Sequence, residues 1–294
     1  MTQTLDLKFL GLPGAIGAFL LATDDGPILI ETGPYSTFAP LAKAIGTHGY
    51  QVEDIRHVFL THIHLDHAGA AWAFAEAGAK IYVHPFGAKH LIAPEKLMES
   101  ARRIYQEEMD RLWGDMRAIP EQQVVIVEHG QSFQIGGLGL VAHHTPGHAR
   151  HHIAWQVGKE LFAGDVAGVK IENGPVVPPC PPPDIDIEAW KGSLRLIRGL
   201  DLDKLRITHF GEITDIDTHL SSLETSLDDW AHWIKQQMSL GRSADEMTHD
   251  FMAYTNEQLN AMGVEGIGLK LYEAANPAWM SVAGLMRYWT KKDN

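Results

Sequence analysis

Three histidines and one aspartate fall within six residues of this chain: His62, His64, Asp66 and His67, in Thr61-His62-Ile63-His64-Leu65-Asp66-His67. Imidazole nitrogen and carboxylate oxygen are the ligands that a borderline divalent metal takes. The apolar run Val58-Phe59-Leu60 precedes them. If a strand ends near Leu60, His62 and His64 are two apart and point the same way from extended chain. Asp66 and His67 then sit on a turn that opens a helix. One short loop of this kind can serve two metal ions. The competing reading is a polar loop that happens to be rich in histidine. Clustered His and Asp need partners, however, and a metal supplies them.

A two-metal site needs more ligands, and they should sit at strand ends where loops converge. Three positions qualify. His148 lies in Thr145-Pro146-Gly147-His148 after an apolar strand, Asp165 in Ala163-Gly164-Asp165 after another, and His209 in Ile207-Thr208-His209 after a third. Each is flanked by glycine or a small residue that lets backbones approach closely. Taken singly, each has an ordinary structural explanation. Taken with the first motif, they form one pattern.

The elements that must position these residues follow from hydrophobic periodicity and turn chemistry. Strands are expected at Leu5–Leu10, Ala15–Ala22, Ile28–Ile30, Ile55–Leu60 and Lys80–Val83, with Asp24-Asp25-Gly26-Pro27 as a hairpin turn. Helices are expected at Phe38–Gly46 and Ala68–Ala77. From 94 to 118 an apolar stripe at helical spacing, ending in Tyr105, Met109, Leu112 and Trp113, reads as a helical insert. β character returns at Val124–Val127, Ser132–Ile135, Leu138–His143, His152–Val157 and Glu160–Ala163. Six prolines between Pro175 and Pro183 make an ordered loop rather than sheet. Asp186 is placed to cap a helix running to Gly199, followed by a short strand at Leu205–Thr208. Residues 217–292 read as helical, broken near Pro277. The expected organisation is a catalytic domain over 1–214 and a C-terminal helical extension over 215–294. Trp230, Trp233, Tyr272, Trp279, Met280 and Trp289 in the extension are either core packing, a cap over an apolar substrate, or the surface of a homodimer.

Composition narrows the function classes. With 37 acidic and 24 basic residues the formal charge is −13, which disfavours nucleic acid as a partner and favours a small-molecule substrate. No stretch approaches the roughly 20 apolar residues that span a bilayer, so no membrane partner is expected. The N-terminus lacks a basic-then-apolar signal pattern, and a single cysteine, Cys180, agrees with a reducing compartment, so a cytoplasmic location is expected.

With these residues in place, the sequence resembles the metallo-β-lactamase superfamily over about residues 5–211. His62, His64, Asp66 and His67 match its H-x-H-x-D-H signature, His148 its T-P-x-H loop, Asp165 its G-D motif and His209 its last histidine. The resemblance implies an αββα sandwich of two mixed β-sheets flanked by helices, with the metals at one edge. It also implies the ligand split: His62, His64 and His148 on one metal, Asp66, His67 and His209 on the other, and Asp165 bridging. His152 matches a supporting histidine of the glyoxalase-II-like loop, while His143, His144 and His151 look supporting or structural and His84 matches no family ligand. Glu31 stands where the family usually has Asp, in a turn behind the site, and its longer side chain can still orient a metal-bound histidine.

The expected activity is hydrolysis by a metal-bridging hydroxide, with Asp66 also taking part in catalysis. Two divalent ions are expected, zinc first, with iron or manganese also suiting the nitrogen–oxygen set. A carbonyl ester, thioester or lactone is the first substrate class and a phosphodiester the second. A non-catalytic metal-binding or regulatory protein is the alternative of a different kind.

Overall fold

The computed structural model describes residues 2–293. Among the described residues, twelve strands form two six-stranded sheets flanked by helices, the αββα sandwich, with further helices at the C-terminus. By density of internal contacts the chain divides into two compact units, residues 1–144 with 151–163, and residues 145–150 with 164–294.

In the first unit, β1 (Thr2–Asp6), β2 (Gly17–Thr23) and β3 (Gly26–Ile30) form an antiparallel meander. Next to β3 come β4 (His57–Phe59), β5 (Lys80–Val83) and β6 (Val124–Ile126), all parallel. Parallel neighbours need crossovers, and helices supply them. α1 (Phe38–Thr47) links β3 to β4. α2 (Leu65–Ala68) and α3 (Ala71–Glu76) link β4 to β5. α4 (Pro85–Ile92), α5 (Glu95–Tyr105) and α6 (Met109–Leu112) link β5 to β6. The same unit holds β7 (Ser132–Ile135), β8 (Leu138–His144), β9 (Ile153–Val157) and β10 (Glu160–Phe162), antiparallel in the order β10-β9-β8-β7. Gly136 and Gly137 have φ of 48° and 78°, the left-handed pair that a tight hairpin needs.

The core lies between these two sets of strands. Phe19, Ile28, Ile30 and Phe59 from one face meet Leu140, Ile153, Trp155 and Phe162 from the other, all buried. Phe59 and Trp155 meet edge to face at 4.9 Å, as do Phe19 and Phe162 at 5.1 Å. Two bonds tie the faces together where β4 ends: Trp155 Nε1–H donates to the Leu60 carbonyl at 3.0 Å, and Ile153 N–H to that of Thr61 at 2.7 Å. The backbone entering the histidine motif is therefore fixed from both sheets.

The second unit holds β11 (Lys204–Ile207) and β12 (Gly211–Ile213), an antiparallel pair, and α7 (Ile187–Arg198). It also holds α8 (Ile216–Ser239), α9 (Ala244–Ala261), α10 (Ile267–Ala275) and α11 (Ala278–Lys292). Asp186 caps α7 by accepting from Ala189 N–H at 2.9 Å. The tail aromatics pack inside this unit. Trp230 and Tyr272 are buried, Trp230 meets Phe251 edge to face at 5.1 Å, and Trp289 Nε1–H donates to the Ala231 carbonyl at 2.8 Å. Tyr272 O–H donates to the Pro175 carbonyl at 2.6 Å, so α10 anchors the proline loop. No helix among the described residues is long and apolar enough to cross a membrane.

Several elements differ from the sequence expectation. The first strand is Thr2–Asp6, not Leu5–Leu10, because Lys8 and Leu10 take left-handed φ of 50° and 54°. The single helix expected over Ala68–Ala77 is two, α2 and α3, because Ala70 N–H turns to the Gly33 carbonyl at 2.9 Å. β5 ends at Val83 as expected, and α4 begins directly after His84. His84 Nδ1 accepts from Phe86 N–H, and proline at the first helical position starts α4.

Candidate metal centre

Each unit brings together part of the expected ligand set. In the first unit, Thr61 N–H donates to Glu31 Oε1 at 3.1 Å, and Thr61 Oγ1 lies 2.9 Å from His62 Nδ1. His62 Nε2 lies 3.0 Å from His64 Nδ1, so the side chains two apart do turn to one place. The next turn is closed by His67 and Ala68 N–H donating to the His64 carbonyl. His67 is then clamped from the turn after β3. Both the N–H and the hydroxyl of Thr32 donate to its carbonyl at 2.9 Å, and Glu31 Oε2 lies 3.4 Å from its Nδ1. Its Nε2 lies 3.7 Å from Asp66 Oδ2. His62 and His67 are wholly buried, whereas His64 and Asp66 keep part of their surface.

In the second unit, Asp165 is the centre. Its Oδ2 lies 3.4 Å from His148 Nε2, and its Oδ1 lies 3.5 Å from His209 Nε2. All three residues are buried. His148 Nδ1–H donates to the Pro179 carbonyl at 2.8 Å, which fixes the tautomer and leaves the Nε2 lone pair toward Asp165. Gly147, just before it, has φ of 140°, and a Cβ there would stand 2.3 Å from Trp190 Cα. Only glycine lets this loop lie on the first turn of α7. His209 is held through its backbone: Lys170 N–H donates to its carbonyl at 2.5 Å, and Phe210 N–H donates to that of Lys170.

The donor set and spacings fit divalent metal. A tetrahedral ion with bonds of about 2.1 Å holds neighbouring ligand atoms roughly 3.4 Å apart. The separations of 3.4, 3.5 and 3.7 Å around Asp165 and His67 are of that size. They are longer than charge-assisted hydrogen bonds, which run about 2.7–2.9 Å. His62, His64, Asp66, His67, His148, Asp165 and His209 all belong to histidine–aspartate groups positioned to bind metal ions.

The other histidines separate by environment. The buried rings of His151 and His152 stand 6.1 and 5.2 Å from that of His62, beside the motif. His143 turns elsewhere, with Nε2 2.8 Å from Gln156 Oε1, and burial lowers its pKa. His144 stacks on His84 at 4.3 Å. Sequence reasoning did not single out Thr32 or Thr61, which fasten the motif. The signal was available in the Glu31-Thr32-Gly33 turn and in the residue before His62.

The family model described as the metallo-beta-lactamase superfamily matches residues 12–209. The chain belongs to that superfamily. Among relatives, it is 33% identical over 148 residues to a metallo-beta-lactamase fold-containing protein of Sulfurisphaera tokodaii, covering 49% of this chain and 56% of the relative. It is 30% identical over 204 residues to a protein of Emericella nidulans named thioesterase pkgB, covering 66% of this chain and 47% of the relative. The chain thus spans about half the length of the curated relatives it matches. A crystal structure of an archaeal metallo-beta-lactamase superfamily protein from Sulfolobus tokodaii superposes with a TM-score of 0.62 at 27% identity, over 75% of this chain and 84% of that one. Metallo-β-lactamase superfamily proteins are mostly hydrolases, and its clustered histidines and aspartates give this member the side chains to bind metal.

Proposed function

We propose that the chain is a dinuclear metal-dependent hydrolase of a small carbonyl ester, thioester or lactone. The observation that carries the reading is Asp165, whose two oxygens are addressed to two different imidazole nitrogens, His148 Nε2 and His209 Nε2. A carboxylate so placed could serve two ions, and this supports the dinuclear reading. His62, His64 and His148 would hold one ion and Asp66, His67 and His209 the other, as the family resemblance implies. When bound, such ions supply Lewis acidity and a water ionising near pH 7.

The chain's own residues do the rest. The Pro179 carbonyl holds the proton of His148 on Nδ1, and Glu31 orients His67. Asp66 and Asp165 are the two carboxylates of the set, so they would only partly offset the four charges of two divalent ions, and a site so charged would favour a substrate oxygen gaining negative charge. Cys180 does not compete as a nucleophile, because it is fully buried and burial pushes its thiol far above the usual range. The thioesterase name of one relative supports a carbonyl substrate, and the net charge of −13 weighs against a nucleic acid.

Elemental analysis of protein grown in supplemented medium tests the centre, with two equivalents of metal expected. A screen of ester, thioester, lactone and bis-aryl phosphate substrates tests the chemistry. The reading predicts carbonyl substrates turned over and abolished in His64→Ala. Exclusive turnover of the phosphate diesters, or full activity in His64→Ala, overturns it.

A further inference from the structure

Six prolines fall between Pro175 and Pro183, and proline has no N–H to give to a ladder. The carbonyls of such a run need donors from outside it. Side chains supply several. Tyr272 O–H donates to Pro175 at 2.6 Å and the Asn276 amide to Pro178 at 3.2 Å. His148 Nδ1–H donates to Pro179 at 2.8 Å and Lys291 Nζ–H to Pro183 at 2.9 Å. Tyr272, Asn276 and Lys291 come from α10, α11 and the turn between them, beyond the residues 12–209 that carry the family pattern. His148 belongs to the candidate metal centre. Asn276 and His148 therefore grip adjacent carbonyls of one loop.

The same loop reaches Asp165 and His209. Val169 and Val177 exchange both backbone bonds at 2.9 Å, which pairs the limb leaving Asp165 with the limb leading to Pro179. Next to Val169, Lys170 N–H donates to the His209 carbonyl, and Phe210 N–H donates to that of Lys170. Tyr272 spans the far end of the pair. Its hydroxyl accepts from Ile171 N–H at 3.2 Å while it donates to Pro175, and a Cβ on Gly174 would collide with that oxygen. Asn276 is oriented in turn. Fully buried Ser281 donates from Oγ to its Oδ1 at 3.0 Å, which leaves Nδ2 for the Pro178 carbonyl, a group that can only accept. From α11, a Cβ on Gly284 would collide with the Cys180 carbonyl, so that helix lies directly on the loop.

We propose that Tyr272 and Asn276 are positioning residues of the metal centre. Tyr272 staples the two limbs of the loop, and Asn276 fixes the carbonyl beside the one that holds the His148 proton on Nδ1. The C-terminal helices thereby set both the tautomer of His148 and the affinity for metal. The effect on affinity rests on the metal-centre reading, whereas the hold on the His148 tautomer stands without it.

Two measurements test this. Long-range proton–nitrogen NMR spectra of the metal-free protein at about pH 8, above the ordinary histidine range, read the tautomer, with His148 assigned by its loss in His148→Gln. In wild type its two ring nitrogens should be widely separated, with the proton on Nδ1. In Tyr272→Phe and Asn276→Ala they should move toward each other. Competition against a chromogenic chelator reads zinc affinity, which should fall roughly tenfold in each variant, the lower end of what loss of an outer-shell partner costs. Asn276→Asp keeps the volume and the acceptor for Ser281 but cannot donate to Pro178, so it should behave as Asn276→Ala. Met247→Ala, a buried change in α9 outside the clamp, should leave the His148 resonances and zinc affinity near wild type. His148 resonances unmoved in both Tyr272→Phe and Asn276→Ala overturn the proposal, as does a Met247→Ala variant that moves them equally. Where wild type binds zinc, an affinity unmoved in both variants overturns it too. A wild type that binds no zinc, with resonances that still move in the variants, strikes the metal reading and supports the clamp.

Discussion

Glu31 and His67 are both wholly buried and face one another, with Oε2 of the carboxylate 3.4 Å from Nδ1 of the ring. The other carboxylate oxygen, Oε1, accepts the Thr61 N–H at 3.1 Å. One side chain thus fixes both ends of the histidine motif, and it does so from a residue at φ 67°. Aspartate tolerates that conformation better than glutamate, but it is one methylene shorter and cannot keep both contacts. Glu31→Asp and Glu31→Ala should therefore lower zinc affinity, by roughly ten- to a hundredfold for loss of such an orienting carboxylate. Glu31→Gln keeps an acceptor for Thr61 and should fall between them and wild type. Competition against a chromogenic chelator measures the series, and unchanged affinity in Glu31→Ala would show that Glu31 does not orient the ligand.

Asp165 Oδ1 and Oδ2 lie 3.5 and 3.4 Å from His209 and His148. An amide offers only one oxygen acceptor in place of two. If the proposed dinuclear centre is right, Asp165→Asn should retain the fold and bind about one equivalent of metal where wild type binds two. Asp165→Ala should behave the same way, since the surrounding imidazoles remain. Elemental analysis reads the stoichiometry. Two tightly held equivalents in both variants would be incompatible with a bridging role.

Much of this arrangement was legible in the residues, and the reasons are local. The motif loop could be placed because an apolar strand must end before His62, and β4 does. The cap of α7 was readable because Asp186 precedes a helical stripe by one residue. β12 was not readable: it is three residues long and only Ile213 in it is buried. Nor was the break between α2 and α3, since alanine favours helix through Ala68–Ala77 and only a tertiary bond from Ala70 to Gly33 interrupts it.

Gly147 tests how closely His148 depends on α7. A methyl at this position would stand 2.3 Å from Trp190 Cα and Cβ, at a φ of 140° that alanine resists. Gly147→Ala should lose roughly 2–4 kcal/mol of stability, combining overpacking and backbone strain. Because His148 is the next residue, bound metal should fall as well. Urea unfolding of the metal-free variant separates the two effects. A midpoint equal to wild type would mean that the loop repacks freely against α7.

The buried His219 gives a pH dependence with a definite sign. Its Nε2–H donates to the Ala167 carbonyl at 2.7 Å, behind the turn that carries Asp165. Burial is the largest influence and lowers its pKa below 6.5, despite the raising effects of that bond and of Asp215. In the unfolded chain the ring titrates near its ordinary value of about 6.5. The unfolded state therefore binds the extra proton first as pH falls. The contribution of His219 is complete above about pH 6.5 and is lost as pH drops toward the folded value. His219→Gln can still donate to Ala167 but does not titrate. Metal-free wild type should lose more stability than this variant between about pH 7.5 and 5.5, measured as the shift in urea midpoint. Equal shifts in the two proteins would remove His219 from the acid response, and a larger shift in the variant would mean that folding raises the His219 pKa instead of lowering it.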